Sequence, residues 1–312
     1  MNIENRKKRF KTIKANYETS YGEINNKKVS ALLSNENAYK VRFCHIGKCF
    51  KYCPEDGVKE KRFRGLRDLL SKTFWSDYVY SRDKYSESTG VSSNLEGIER
   101  GILVHKQLRD YTNMKLEDFK KKYNINFNKK PPTSDLHPFT MQAISVMREW
   151  KLKPIIAEFI VYDTSFMIAT GVDMLCLNQN GSLISIDWKC GMDGYISKSS
   201  GMMNGPLADY LSNSPLNQAY IQKTIESELM AISYDGIRPD VCYVVNLNKE
   251  SNDPYMVPQD ILKMGSTLYQ YMLSVLNKER EDKKKEKINK IKERKAKRKQ
   301  NCEQFKTKRV KN

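Results

Sequence analysis

Apolar residues recur at helical spacing in five parts of the chain. The first runs from Lys61 to Phe74, and the next two cover Leu95–Tyr111 and Phe139–Trp150. Pro215 to Ile232 has the same spacing, as does a stretch that begins near Gln259. Apolar residues three or four positions apart share one face of a helix. We therefore expect a helix in each of these five regions.

Between the third and fourth of these regions the period changes to that of strands. Ile155–Tyr162, Met167–Leu177 and Leu183–Cys190 are short runs rich in β-branched residues. The last two are separated by Asn178–Gly181, which ends in Asn-Gly and favours a hairpin turn because both residues tolerate a positive φ. Val241–Leu247 predicts a further, buried strand. Helices and strands mixed in this way indicate an α/β domain.

The chain has 312 residues, of which 39% are hydrophobic and 29% charged, so it is long enough to bury a core. No apolar run approaches the roughly 18 residues that span a bilayer. The segment Met1–Lys8 lacks the apolar stretch of a secretory signal. We expect an intracellular protein of the nucleus or cytoplasm that does not insert into membranes. Its oligomeric state is not predicted.

Positive charge is concentrated near the end of the sequence. The chain has 55 Lys and Arg against 37 Asp and Glu, a net +18. Residues 278–312 contribute 17 basic and 6 acidic residues to that total. Such charge attracts polyanions, so nucleic acid is the first partner to consider, although a Lys-rich surface without a specific partner has the same composition. A solvated helix, a phosphate-binding segment and a nuclear import signal are three alternatives for this tail.

These patterns predict three parts: an N-terminal extension over residues 1–60, a core over residues 61–277 and the basic tail over residues 278–312. The final helix is expected to run directly into the tail, with apolar residues on one face. These residues are Ile261, Met264, Leu268, Met272 and Leu276.

The seven cysteines, an odd number without a secretory signal, indicate free thiols. Cys44, His45, Cys49 and Cys53 lie close together and could hold zinc. Their spacing matches none of the common paired patterns of zinc sites, so we interpret the cluster as incidental.

Acidic and basic residues converge in the predicted hairpin. Side chains alternate along a strand, so Asp187 and Lys189 project from one side and Trp188 from the other. The Asn-Gly turn folds Asp173 back beside Asp187. Charges buried among Ile and Val need a partner, and a divalent cation with oxygen ligands provides one. The alternative is a structural salt bridge between Lys189 and one of the two aspartates.

Five segments in this order resemble the PD-(D/E)XK nuclease superfamily, specifically its RecB-like and lambda-exonuclease-like branch. The branch has a His on a helix, a Glu, a Gly-x-Asp strand, an Asp/Glu-x-Lys strand and a Gln-containing helix. The resemblance covers roughly residues 101–247. The matching residues are His105 in Gly101–His105, Glu158 in Ala157–Phe159, Asp173 in Gly171–Asp173, Asp187 and Lys189 in Asp187–Lys189, and Gln218 and Gln222 in Leu216–Gln222.

The resemblance implies a restriction-endonuclease-like three-layer α/β/α core with a mixed central sheet. It also implies a metal site with Mg²⁺, for which Mn²⁺ substitutes. The implied metal ligands are His105, Asp173, Asp187 and the backbone carbonyl of Trp188. The implied catalytic residues are Lys189, Asp173, Asp187 and Glu158, with Glu158 as an outer carboxylate that supports Lys189 or a second metal.

Gln218 and Gln222 are the implied substrate-binding residues. The family has a Tyr four residues after its Gln, whereas Gln222 follows Gln218 here and Glu226 follows Gln222. Either Gln can match the family position, because residues i and i+4 share one helical face.

The expected function is a magnesium-dependent deoxyribonuclease that hydrolyses phosphodiester bonds. The resemblance implies an exonuclease or DNA end-processing enzyme in replication, recombination or repair, of a kind found in viruses and phages. Two alternatives stay open: a non-catalytic nucleic-acid-binding protein with a structural Asp–Lys salt bridge, and a nuclease of the same fold that acts on RNA. DNA is preferred over RNA as the partner.

Overall fold

The structure is a computed structural model that describes residues 3–24, 26–44, 49–52, 60–75, 94–126, 134–191, 199, 201–248 and 252–310. The strands are β1 (Val41–Cys44), β2 (Cys49–Tyr52), β3 (Lys61–Gly65), β4 (Lys153–Asp163), β5 (Ile168–Leu177), β6 (Leu183–Cys190), β7 (Val241–Leu247) and β8 (Asn252–Met256). The helices are α1 (Ile3–Tyr21), α2 (Lys27–Ser34), α3 (Leu66–Thr73), α4 (Asn94–Asn113), α5 (Leu116–Lys122), α6 (Pro138–Glu149), α7 (Pro215–Ser233), α8 (Gln259–Lys263) and α9 (Gly265–Val310). Short 3₁₀ turns occupy Glu36–Tyr39 and Gly205–Leu207.

One mixed eight-stranded sheet organises these elements. Its main path is β1-β2-β3-β5-β6-β7-β8, and β4 pairs with β5. The β3–β5 and β6–β7 pairs are parallel, and the others are antiparallel. The coarse prediction of a mixed α/β protein is therefore confirmed.

The predicted hairpin strands β4, β5 and β6 form where the sequence places them. Three hydrogen bonds close the turn between β5 and β6. The Gly181 amide donates to the Asn178 carbonyl at 3.1 Å, the Asn178 amide donates to the Ser182 carbonyl at 3.1 Å, and the Ser182 amide donates to the Asn178 side chain at 2.8 Å. Gly181 has a φ of +77°, the left-handed conformation that glycine adopts without strain. Asn180 is not among the described residues with positive φ, so only the second residue of the Asn-Gly pair uses that freedom.

One face of the sheet is covered by α4, α5 and α6. Their buried apolar side chains form a core with alternate residues of β6, including Ile184, Ile186 and Trp188. The residues between them on β6, such as Ser185 and Asp187, therefore face the other side of the sheet. The helix α7 packs against β4–β7 on that side.

Two apolar residues of α4 do not belong to its buried face. Ile98 and Ile102 are 44% and 64% exposed, whereas Val104 and Leu108 are buried. Gln107 belongs to the buried face, because its side-chain oxygen accepts hydrogen bonds from the His137 amide and the Thr140 hydroxyl. When a polar residue makes its hydrogen bonds inside the core, the pattern of hydrophobic residues no longer shows which face of the helix is buried.

Residues 1–60 contribute helices α1 and α2 and strands β1 and β2. Strand β2 pairs with β3, and β3 continues the sheet onto β5. The helix α1 packs on β4, where Phe10 makes an edge contact with Phe159 at 6.4 Å between ring centroids. The region predicted as an extension thus adds strands to the sheet.

The chain divides into two compact units, residues 1–269 and residues 270–312. The expected final helix is interrupted: α8 ends at Lys263 and α9 begins at Gly265. Within the second unit, every side chain from Glu281 to Arg298 is exposed. None of the helices in the described part of the chain combines the length and the apolar character that crossing a bilayer requires.

Candidate metal centre

The sheet divides at the middle of β5. Strand β3 pairs with Ile168–Ala169 and strand β6 pairs with Met174–Leu177, while β4 follows the other edge of β5 along most of its length. Because β4 occupies one edge, β3 and β6 must share the opposite edge. Asp173 lies at this division, one residue beyond the last β5–β6 pair, Met174 with Ile186. Asp187 is the next residue of β6, so the hairpin brings the two aspartates together.

Asp173 is held by the backbone of the neighbouring strand. Its Oδ2 accepts a hydrogen bond of 3.0 Å from the Trp188 amide, and its Oδ1 lies 3.8 Å from Nδ1 of His105. Burial raises the pKa of Asp173 to about 7, and the charges of Asp187 and Glu158 act in the same direction against the opposing effect of His105. Such a carboxyl group gains from a cation that replaces its proton.

His105 on α4 reaches the same place from the helical layer. Its Nδ1 lies 3.1 Å from Oε1 of Glu158, and its Nε2 lies 3.4 Å from the Trp188 carbonyl oxygen. Burial lowers the pKa of His105, but Asp173 and Glu158 outweigh it and raise that pKa to about 9. One ligand atom each from His105, Glu158 and Asp173 falls within 4.8 Å of the others, which is close enough for one metal ion.

Glu158 enters this group through an unusual backbone. Its φ is +54°, in the left-handed region, although it lies within β4. Regular pairing occurs on both sides of it, Ala157 with Met174 and Phe159 with Val172. The residue opposite Glu158 in this register is Asp173, so the positive φ of Glu158 occurs directly beside the carboxyl group of Asp173. Gly171 is also close: a Cβ atom there would be 3.8 Å from Oε2 of Glu158.

Asp187 and Lys189 project from the same side of β6, as alternation predicts. Nζ of Lys189 lies 2.7 Å from Oδ2 of Asp187, and the two side chains are 28% and 5% exposed. The contact is an ion pair without hydrogen-bond geometry, because that oxygen accepts no hydrogen bond from any described residue. Burial raises the pKa of Asp187, but Lys189 and then Lys223 outweigh it and lower that pKa to about 2.

At the end of β6, Arg100 from α4 covers the last peptide of the strand. Its Nη2 donates to the Cys190 carbonyl at 3.2 Å, and its guanidinium lies 5.6 Å from the centroid of the Phe139 ring. Gly191 follows with a φ of +73°, and a Cβ atom there would be only 2.4 Å from Nη2 of Arg100. Glycine is therefore required at position 191 for this packing.

The two implied substrate-binding residues of α7, Gln218 and Gln222, form local side-chain hydrogen bonds. The side-chain amide of Gln218 donates to Asn213 at 2.9 Å, and that of Gln222 donates to Glu226 at 2.7 Å. Neither Gln belongs to the group formed by His105, Glu158 and Asp173.

Sequence reasoning missed a buried ion pair on α7. Nζ of Lys223 lies 2.8 Å from Oε2 of Glu226, and both side chains are at most 2% exposed. The spacing of three residues between a Lys and a Glu is the only sequence signal, and the same spacing is common on helix surfaces.

Apart from Gln218 and Gln222, the predicted site residues fall into two adjacent sets. His105, Glu158 and Asp173 form one, with the Trp188 carbonyl next to it, and Asp187 with Lys189 forms the other. The resemblance implies that Glu158 supports Lys189 or a second metal, and in the structure its Oε1 lies 3.1 Å from Nδ1 of His105. Of the incidental cysteine cluster, Cys44 and Cys49 are paired in β1 and β2, while His45, Cys53 and the side chains of the two paired residues lie outside the description.

No protein-family model and no curated protein matches this chain. Among solved structures, one described as "Crystal structure of SSO0001" is similar over 67% of this chain and 84% of that chain. The two are 14% identical, and the TM-score is 0.24.

Proposed function

We propose that the protein is a magnesium-dependent nuclease that hydrolyses phosphodiester bonds of DNA, built on a three-layer α/β/α core of the restriction-endonuclease type. One observation carries the proposal. A His–Glu–Asp group lies beside an ion-paired Asp187 and Lys189 where two strands of the sheet separate. Five ionisable groups from α4, β4, β5 and β6 are therefore concentrated at one place.

The donor atoms suit a divalent cation. His105, Glu158 and Asp173 would hold the ion, with Asp187 and the Trp188 carbonyl oxygen beside it. Carboxylate and carbonyl oxygens are the ligands that Mg²⁺ prefers, and Mn²⁺ accepts an imidazole nitrogen as well. Burial raises the pKa of Asp173, and the charges of Asp187 and Glu158 add to that effect, so a bound cation would offset the cost of ionising this carboxyl group.

A bound cation supplies Lewis acidity to a water molecule and to a phosphate oxygen. The side chains of Lys189 and Asp187 supply the other groups that the proposed reaction needs. Although burial lowers the pKa of Lys189, Asp187 and Asp173 outweigh it and raise that pKa, so the ammonium stays charged. Lys189 would therefore orient the attacking water by hydrogen bonding and balance the negative charge that develops on the phosphate. Asp187 would keep the ammonium in place.

Substrate and cleavage mode follow the family resemblance. The proposal is an exonuclease or end-processing enzyme that acts in replication, recombination or repair, with DNA preferred over RNA. Linear and closed circular duplex DNA, incubated with Mg²⁺ or with a chelator, test this directly. We expect loss of linear DNA only when Mg²⁺ is present. Cleavage of closed circles would instead identify an endonuclease, and faster cleavage of RNA would identify an RNA-directed enzyme.

The Lys189→Ala variant tests the site. We expect cleavage to fall by at least ~10²-fold, because the charge that balances the transition state is lost. DNA binding in chelator should change little, and the variant should still fold, with a lower melting temperature because the buried Asp187 loses its counter-charge. Lys263→Ala, which removes an exposed lysine of α8, is the matched control and should cleave normally. A Lys189→Ala protein that cleaves as fast as the parent would refute the assignment.

A non-catalytic nucleic-acid-binding protein is the second candidate. It is favoured by the 2.7 Å ion pair of Lys189 with the buried Asp187, which is what a structural salt bridge requires. Calorimetric titration with Mn²⁺ separates the two. The nuclease proposal expects binding that Asp173→Asn abolishes, whereas the structural alternative expects no binding.

A further inference from the structure

The part of α9 from Glu281 to Arg298 is a helix with an entirely exposed surface. It contains ten basic and four acidic residues, and every one of its side chains is exposed. Charge is distributed unevenly, since residues 290–298 hold six basic residues and one acidic residue. At 1.5 Å per residue this segment is about 27 Å long. Tertiary burial does not stabilise it, so its charges decide its behaviour.

One side of this segment carries paired charges. Glu279 with Lys283 and Glu286 with Lys290 are ion pairs at a spacing of four residues. The sequence repeats the spacing with Glu293 and Lys297. A Glu four residues before a Lys stabilises an isolated helix by about 0.2–0.5 kcal/mol per pair. We call this side the ladder face, and two of its lysines, Lys283 and Lys290, are ion-paired within the helix.

The sector that adjoins the ladder face carries basic residues that form no ion pair with a described residue. At about 100° per residue, five basic residues fall within a sector of about 100° that contains no acidic residue. None of the five forms an ion pair with a residue that the structure describes. We call this sector the basic face. Its members are Lys284, Lys287, Arg294, Lys295 and Arg298.

Like charges three or four residues apart destabilise a helix. The basic face has three such pairs: Lys284 with Lys287, Arg294 with Arg298, and Lys295 with Arg298. A polyanion that lies along the helix would remove this repulsion. The segment is therefore shaped and charged to bind an extended row of phosphates.

We propose that the basic face of α9 binds the phosphate backbone of duplex DNA. About 27 Å of duplex presents roughly 16 phosphate charges, which exceeds the number of cations on the face. A membrane surface is a poorer fit, because Ile288 and Ile291 are the only large apolar side chains between Glu281 and Arg298. The choice of DNA over RNA rests on the proposed function.

Two triple variants of the full chain test the proposal. Lys287→Gln, Arg294→Gln and Arg298→Gln together neutralise the basic face, whereas Lys283→Gln, Lys290→Gln and Lys297→Gln remove the same charge from the ladder face. Gln has nearly the helix propensity of Lys and Arg, so the helix is retained. Fluorescence anisotropy with a labelled DNA duplex, in chelator to prevent cleavage, measures affinity at several salt concentrations.

We expect the basic-face variant to bind at least tenfold more weakly, with a salt dependence whose slope is smaller by about 2–3, since each phosphate contact contributes about 0.9. The ladder-face variant should lose less than threefold. Equal losses in both variants would overturn the assignment to one face, and no loss in either would overturn DNA binding by the helix.

Two further ligands test the identity of the partner. Tighter binding of the parent protein to a duplex RNA, or to phosphatidylserine vesicles, than to duplex DNA would overturn the choice of DNA. Because binding is measured without divalent metal, the result is independent of catalysis. A chain that never cleaves DNA can still satisfy this test, and an active nuclease can still fail it.

Discussion

At the scale of single residues, Glu158 combines backbone strain with a place in the candidate metal centre. Its φ of +54° lies in a region that side chains with a Cβ atom rarely adopt within a strand. Such strain costs on the order of 1–3 kcal/mol and persists only where neighbouring structure imposes it. Here the paired residues on both sides of Glu158 impose it, and the result is a carboxylate 3.1 Å from His105.

Replacing Glu158 tests whether this strain is present. Glu158→Gly and Glu158→Ala both remove the carboxylate, but only glycine accepts a positive φ without strain. We therefore expect the Gly variant to be about 1 kcal/mol more stable than the Ala variant in urea unfolding. Lys153 lies in the same strand and has no positive φ. There the Ala variant should be more stable than the Gly variant. An Ala variant at position 158 that equals the Gly variant would contradict the strained backbone.

Residue-level prediction succeeded where one local rule decides the outcome. Alternation along β6 correctly places Asp187 and Lys189 on one side and Trp188, which is 3% exposed, on the other. Hydrophobicity did not identify the buried face of α4, because the polar Gln107 is buried with its hydrogen bonds made, while Ile98 is exposed. Hydrophobicity alone does not tell which polar residue will find partners in the core.

At the scale of elements, α7 contains a charge pair that its sequence does not distinguish from a surface pair. Lys223 and Glu226 are nearly inaccessible to solvent, and Gln222 donates to the second oxygen of Glu226. Burial lowers the pKa of Lys223, but Glu226 outweighs it and raises that pKa. Burial raises the pKa of Glu226 against the opposing effect of Lys223. The 2.8 Å contact between the two side chains indicates an ion pair, in which each member depends on the other for compensation.

Substitutions in this pair have strongly non-additive expected effects. Lys223→Met alone leaves a buried carboxylate without its counter-charge and should destabilise the fold by about 3–5 kcal/mol. Lys223→Met combined with Glu226→Met removes both charges and should recover most of that loss. Chemical denaturation of the two single variants and the double variant measures the coupling. Additive effects would show that the two side chains do not form a pair in solution.

The sequence did not predict strands β8 and β3, for two different reasons. The edge strand β8 has only five residues, Asn252–Met256, and includes Pro254, so its pattern resembles a loop. An edge strand pairs on one side only and tolerates proline there. Strand β3, Lys61–Gly65, was included in a predicted helix because Leu66 and the following apolar residues continue directly from it.

At the scale of the whole molecule, the two ends of the chain differ in what they contribute. The N-terminal residues provide β1 and β2, which extend the sheet, and α1, whose Phe10, Ile13 and Tyr17 are buried. The other end, from residue 281 to residue 298, is exposed throughout. Hydrophobic burial therefore stabilises the first region and does not stabilise the second.

Two truncations test this difference. Deletion of residues 1–60 should expose the apolar surface under α1 and leave β3 as an edge, so we expect an aggregating or unfolded protein. Deletion of residues 278–312 should leave the melting temperature within a few degrees of the parent, because little apolar surface is lost. Differential scanning calorimetry on both proteins gives the answer. A stable protein without residues 1–60 would mean that this region is an independent extension.

Sequence by itself determined what depends on neighbours in the chain. The periods of α4, α6 and β4–β6, the turn at Gly181, the meeting of Asp173 with Asp187 and the charge of residues 278–312 all follow from local rules. Only the tertiary structure decided which distant groups meet: His105 from α4 with Glu158 from β4, and β3 with β5. These contacts depend on the packing of whole elements, and the strain at Glu158 is imposed by pairing on both sides of it. Neither packing nor imposed strain leaves a periodic signal in the sequence.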